Sequence, residues 1–211
     1  MGIFDLLFIA CFLGTLGYGG AIAVLALRRR WLAVRRHGLR LASAWGVYFV
    51  VLLAVGALSP QRILAPDQFL QYDDWCIGVK KTAFADALDE VRPQAGNRFA
   101  IVTLQIRSTA RRVRQRAPAG SLVYLLDEAE ARYDVSAPAQ AAFEKTAGLQ
   151  PELTTQLDPG GSLETTRVFE VPRAAPALFL AHRHGTGFPF PGLFIIGESA
   201  RGPKVIRLAW P

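Results

Sequence analysis

The chain has 211 residues, with 24 basic against 17 acidic side chains and a formal charge of +7. Two cysteines are too few for a disulfide-stapled scaffold. The charge distribution argues against nucleic acid as a partner, because six arginines against Asp5 lie up to Pro60, while the remainder holds 18 basic and 16 acidic groups.

The first element is an apolar run from Ile3 to Leu27, and a second runs from Leu41 to Leu58. Each supplies enough residues to cross a hydrocarbon core of roughly 30 Å at about 1.5 Å per helical residue. Between them Arg28, Arg29, Arg30, Arg35, Arg36 and Arg40 crowd into a stretch read as a loop over 28–40. Loops that stay on the synthesis side keep their arginines, so residues 1–60 are predicted to form a two-span hairpin with a cytoplasmic loop. Both termini, and everything after Pro60, are then expected outside the cytoplasmic membrane, and the loop is expected to meet anionic lipid headgroups. Asp5 is expected at the outer headgroup level. The positive cluster follows the first run instead of preceding it, which is the reverse of a cleavable signal, so the anchor is expected to be retained. Met1 to Leu6 makes a poor myristoylation signal, and Cys11 sits too deep in the run to be a lipobox cysteine near a cleavage site. Gly14, Gly17 and Ala21, with Ala42 and Gly46, are expected to let the two spans pack closely, with dimerisation through these faces as the alternative. Trp31 and Trp45 are expected at the membrane interface.

Residues 61–70 read as a linker, and 71–211 as one exported domain of ordinary size. The grammar there is short runs rich in Val, Ile, Phe and Thr cut by Pro, Gly and Asp. Strands are predicted at Trp75 to Phe84, Asn97 to Thr109, Leu122 to Asp127, Leu163 to Val171, Ala177 to His182, Leu193 to Ile196 and Lys204 to Trp210. In the second of these Val102, Leu104 and Ile106 alternate with Thr103, Gln105 and Arg107, so one face is buried. Ala137 to Gly148 is predicted as a short helix, with Pro138 suited to its first turn and Gly148 to its end. About seven strands without strand–helix alternation point to a mainly β, antiparallel sandwich of immunoglobulin-like type. Cys76 cannot form a disulfide within the domain and is expected to be a buried small hydrophobe. Asp158-Pro159-Gly160-Gly161 is a turn, since Pro presets φ and Gly accepts a positive one. It is not read as a phosphate-binding loop, because no Lys-Ser or Lys-Thr pair follows the glycines.

Two stretches carry a family resemblance: Tyr72-Asp73-Asp74-Trp75-Cys76-Ile77-Gly78-Val79, and Leu157-Asp158-Pro159-Gly160-Gly161-Ser162 leading into Val168-Phe169-Glu170-Val171-Pro172. Over roughly Gln71 to Leu208 the chain resembles the immunoglobulin-like extracellular domain of unknown function found in bacterial lipoproteins and exported proteins. That domain is similar in fold to the mycobacterial immunoprotective secreted antigen. The resemblance implies a fold and an address outside the cell membrane, and it brings no catalytic residues. A two-span hairpin departs from the lipid anchor or signal sequence usual in that family.

Several residues carry side chains suited to chemistry. His182 and His184 sit two apart on a strand, as metal ligands or as solvated strand-end histidines. Asp73 and Asp74 read as half of a calcium site or as a strand entrance, one carboxylate solvated and one bonded to backbone amides. No nucleophile elbow occurs. No catalytic, cofactor-binding or metal site is therefore assigned. Arg107, Arg111, Arg112, Arg114 and Arg116 form a basic run suited to anionic headgroups or a polyanionic envelope polymer, or else to a solvated loop offset by Asp127, Glu128 and Glu130. Phe188 and Phe190, held between prolines and glycines, either cap the core or contact a partner. Arg111, Arg112, Arg114, Arg116, Phe188 and Phe190 are the candidate partner-binding residues. The functional expectation is a non-enzymatic binding module of the bacterial envelope, tethered in the membrane and contacting lipid, an envelope protein or a polyanionic polymer. The alternatives are an accessory subunit of a larger membrane complex and a metal-dependent envelope enzyme.

Overall fold

The computed structural model describes residues 3–58, 60–72, 74–117, 119–183 and 204–209, which fall into two compact units. The first unit holds α1 (Ile3–Leu27) and α2 (Trp31–Leu58). Both helices are long and apolar enough to cross a membrane. The connection is three residues, not the thirteen expected, because α2 starts at Trp31 and carries Arg35, Arg36 and Arg40 on its first turns. Arginine is a good helix former, so a basic stretch need not be a loop. The ending of α1 is a Schellman turn, in which Arg30 N–H donates to Leu25 C=O (3.0 Å) and Arg29 N–H to Ala26 C=O (2.9 Å). Arg29 therefore takes φ 55°, a position where glycine would be free of strain.

The helices meet along a seam with the 3-4 spacing of an antiparallel coiled coil. Phe8, Cys11, Thr15, Tyr18, Ile22 and Leu25 of α1 are half-buried, as are Val34, Gly38, Leu41, Trp45, Tyr48, Leu52 and Val55 of α2. Within it Trp45 Nε1 donates to Thr15 Oγ1 (3.0 Å), and the Tyr18 hydroxyl lies 2.5 Å from His37 Nδ1. Trp45 thus lies in the seam, whereas Trp31 is exposed. The small faces do not make the packing. A Cβ added at Gly14, Gly17 or Gly46 would meet nothing within 4 Å, and these glycines, with Ala21 and Ala42, are exposed.

The second unit is a β-sandwich. One sheet has the order β2 (Phe69–Gln71), β3 (Trp75–Ala85), β4 (Asn97–Ser108), β7 (Ser162–Pro172). The other runs β1 (Ile63–Leu64), β9 (Val205–Arg207), β8 (Leu178–Arg183), β5 (Leu122–Asp127), β6 (Arg132–Tyr133). The described residues thus hold nine strands where seven were predicted. β1 and β2 come from the segment expected as a linker, and the stretch Leu193 to Ile196 lies outside the described residues. All ladders are antiparallel except the two-residue pairing of β1 with β9, which is parallel.

The alternation read from β4 holds: Val102, Leu104 and Ile106 are buried in the core, with Trp75, Ile77, Phe169, Leu180 and Ile206. The opposite face of this sheet is covered at one end by α3 (Ala137–Ala147), whose Ala139 packs with Phe99 and Val168. Gly148 ends that helix at φ 85°. β7 is an edge strand, and its outward backbone groups are met by side-chain amides. Gln140 Oε1 accepts from Val168 N–H (2.9 Å), its Nε2 donates to Thr166 C=O (3.1 Å), and Gln150 Oε1 accepts from Thr166 N–H (3.0 Å). At the other edge, Gly78 of β3 lies beneath the Phe69 ring of β2, with the Arg107 guanidinium 4.6 Å from the ring centre. A Cβ at Gly78 would sit 2.7 Å from that ring.

Candidate functional site

The two stretches that carried the family resemblance come together at one end of the sandwich, and the arginine run lies between them. Residues 109–117 leave β4 and are tied down at several points. Thr109 N–H donates to Asp74 C=O (2.8 Å) in the β2–β3 connection, and Gln115 Nε2 donates to Asp74 Oδ2 (3.0 Å). Gln115 and Leu157 exchange two backbone bonds, of 2.9 and 2.7 Å. Ala110 and Ala117 are buried at either end of the loop. The Asp158–Gly161 turn forms as predicted, with Gly160 at φ 72° and Gly161 N–H donating to Asp158 C=O (2.9 Å).

These anchors leave Arg111, Arg112, Arg114 and Arg116 all exposed. Arg114 Nε donates to Asp158 Oδ1 (2.6 Å), a pair open to water at both ends and so a weak restraint. Among the described residues no carboxylate pairs with Arg111, Arg112 or Arg116. Among the described residues Asp127, Glu128 and Glu130 form no ion pair with these arginines, and the Asp127 carboxylate closes its own turn. It accepts from the Tyr133 hydroxyl (2.8 Å) and from the amides of Ala129 and Ala131 (2.9 Å each). Burial alone would raise that carboxyl's pKa, but the bonds from Tyr133, Ala131 and Ala129 outweigh it and hold the group below the ordinary aspartate range. Arg107 belongs to the scaffold, donating to Gln105 Oε1 and stacking on Phe69.

Beneath this end, Tyr72, Trp75 and His182 join the two sheets. Tyr72 and Trp75 stack at 4.4 Å, and the Tyr72 hydroxyl lies 2.8 Å from His182 Nδ1. His182 is 7% exposed, so it is an inter-sheet fastener and not a solvated strand end. Burial first, and then Tyr124, pushes the Tyr72 hydroxyl well above the ordinary tyrosine value. Cys76 is 3% exposed, and burial raises its thiol pKa against an opposing effect of Arg107, so it packs as the expected small hydrophobe. Asp74 is exposed and its carboxylate takes a side-chain amide, that of Gln115. Among the described residues no three His, Cys, Asp or Glu side chains gather where they could hold a metal ion. Asp73, His184, Phe188 and Phe190 lie outside the described residues.

The sequence pointed to the arginines by charge alone. It missed their tethers, Gln115, Leu157 and Asp158, which lie more than forty residues from their partners. It also missed Tyr72 as a bridge, although an aromatic preceding Asp-Asp-Trp was visible in the motif.

No family model matches the chain, and no curated protein matches it in sequence. Among solved structures, a conserved hypothetical protein from Bacillus anthracis is similar with a TM-score of 0.46 at 16% identity, covering 56% of this chain and 89% of that one. An uncharacterized beta-sandwich protein from Clostridium difficile 630 gives 0.42 at 10% identity, over 72% and 96%. The yjhA protein from Bacillus subtilis gives 0.39 at 10%, over 69% and 99%. At such identities the likeness concerns fold alone, and the sandwich described above rests on its own strand pairings.

Proposed function

We propose that this is a membrane-anchored envelope protein whose helical hairpin crosses the cytoplasmic membrane and whose sandwich, outside it, binds a partner without catalysing a reaction. The observation that carries the reading is the arginine loop, pinned at both ends while Arg111, Arg112 and Arg116 stay exposed and without carboxylate partners among the described residues. A rigid, uncompensated cationic surface suits an acidic envelope protein or polymer and loses little entropy on binding. Orientation is supported by the arginine-rich turn, which the positive-inside rule keeps in the cytoplasm.

An immunoglobulin-like topology is supported by strand order. With β3, β4, β5, β6, β7, β8 and β9 as strands A, B, C, C′, E, F and G, one sheet reads A-B-E and the other G-F-C-C′. The short β1 beside β9 and β2 beside β3 are additions.

A second reading, an accessory subunit held to a larger complex by its hairpin, is favoured by one observation. The small faces at Gly14, Gly17 and Ala21, and at Ala42 and Gly46, are open on the outside of the helix pair. Photocrosslinkers placed in native membranes at Arg112, at Leu13 beside the small face, and at exposed Leu149 separate the readings. Crosslinks from Arg112 alone support the sandwich as the binding part. Crosslinks from Leu13 alone support the accessory-subunit reading and overturn the first.

A further inference from the structure

Between Asp5 and Asp67 the sequence contains no acidic residue. The six arginines of the α1–α2 turn and the start of α2 therefore have no counter-charge within their own stretch. Beside this turn opens a concavity of about 700 Å³ lined by Arg29, Arg30, Trp31, Arg36, His37 and Arg40.

Three local features shape it. Arg29 is held in the left-handed region by the Schellman turn, so the chain keeps a charged side chain where glycine would be unstrained. His37 is fixed against α1 by the Tyr18 hydroxyl at Nδ1. When that hydroxyl donates, the ring's proton sits on Nε2, which becomes a further donor. Finally, on the face of α2 that carries Arg36 and Arg40, Val47 and Val50 follow towards the bilayer and are 65% and 66% exposed. Cationic forks followed along one helix face by exposed valines match the boundary between phosphate and acyl chain, and guanidinium groups suit phosphate oxygens through paired bonds.

We propose that this concavity binds the phosphate of an anionic phospholipid, with the arginines on the phosphate oxygens and the acyl chains running on towards the bilayer along the same face of α2, past Val47 and Val50. The assignment rests on the hairpin being a membrane anchor. A free phosphate would satisfy the arginines and make no use of the apolar face that continues from them, so the lipid is the occupant favoured.

The full chain, purified in detergent, is mixed with equal amounts of phosphatidylglycerol and phosphatidylcholine, and retained lipid is counted by native mass spectrometry. Wild type is expected to prefer phosphatidylglycerol by roughly tenfold, and inorganic phosphate is expected not to displace it. Arg36→Gln with Arg40→Gln should abolish the preference. Arg29→Gly should weaken it while leaving thermal stability equal or higher, because glycine accepts the left-handed backbone; a turn with a purely structural role would gain stability and keep its lipid preference. Equal retention of both lipids, preference that survives the double substitution, or full displacement by inorganic phosphate would each overturn the proposal. Alkaline carbonate extraction of native membranes runs alongside. Release of the chain there means that the anchor reading has failed, whereas retention with no lipid preference means that only the site has.

Discussion

At positions 169 and 170 adjacent side chains of β7 do different work. Phe169 is fully buried in the inter-sheet core, so Phe169→Ala is expected to cost about 3 to 5 kcal/mol in denaturant titration. Glu170 points the other way, as alternation requires, yet its carboxylate accepts from Gln94 N–H and Asn97 Nδ2, each at 2.8 Å. Glu170→Ala is therefore expected to cost roughly 1 to 2 kcal/mol, more than a free surface position. If it proves as damaging as the phenylalanine change, the inward and outward assignments of β7 are wrong. Tyr72 supplies a pH signature. Its hydroxyl is raised in the folded state, so the protonated form is favoured there; its contribution is complete below the ordinary tyrosine pKa of about 10 and is lost as pH climbs through the raised value. Tyr72→Phe should flatten the part of alkaline unfolding that begins near pH 10, at some cost at neutral pH from the lost bond to His182. An unchanged alkaline arm would contradict this.

Elements show which interactions local patterning reveals. Strong alternation marked β4, and the proline–glycine pair marked the turn into β7, so both were legible from neighbouring residues. β1, β2 and β6 were not, because two or three residues carry no period and exist as strands only through their partners. The arginine stretch conceals ten residues of helix, since a run of charge resembles a loop although only three residues turn. The seam spacing was present in Thr15, Tyr18, Trp45 and Tyr48, but the glycines drew attention to the wrong face. Two expectations follow at this scale. Gln140→Ala leaves Val168 N–H of the edge strand without its partner and Thr166 C=O with the Arg167 guanidinium alone, and should destabilise the domain by about 1 to 2 kcal/mol and promote association. Secondly, a fragment beginning at Gln61 should fold as a soluble β-rich domain and melt higher than one beginning at Gln68, because the shorter piece lacks β1 and exposes an edge of β9. Equal melting temperatures would show that the parallel ladder contributes nothing.

For the whole molecule, the division into a helical hairpin and a strand-rich domain was readable from composition, since apolar runs and β grammar differ in kind. The arrangement at the arginine end was not, because Asp74, Gln115, Leu157 and Asp158 meet only through the folded sheets. The central claim is that the hairpin turn and the sandwich lie on opposite sides of a membrane. Single cysteines at Arg30, in the exposed turn, and at Leu149, which is 87% exposed, test it in a background with Cys11 and Cys76 replaced by alanine. A membrane-impermeant maleimide is applied to intact cells whose outer barriers have been opened. Labelling at position 149 from outside, with position 30 reached only after lysis, is the result expected; labelling of both from outside, or of neither until lysis, would contradict it.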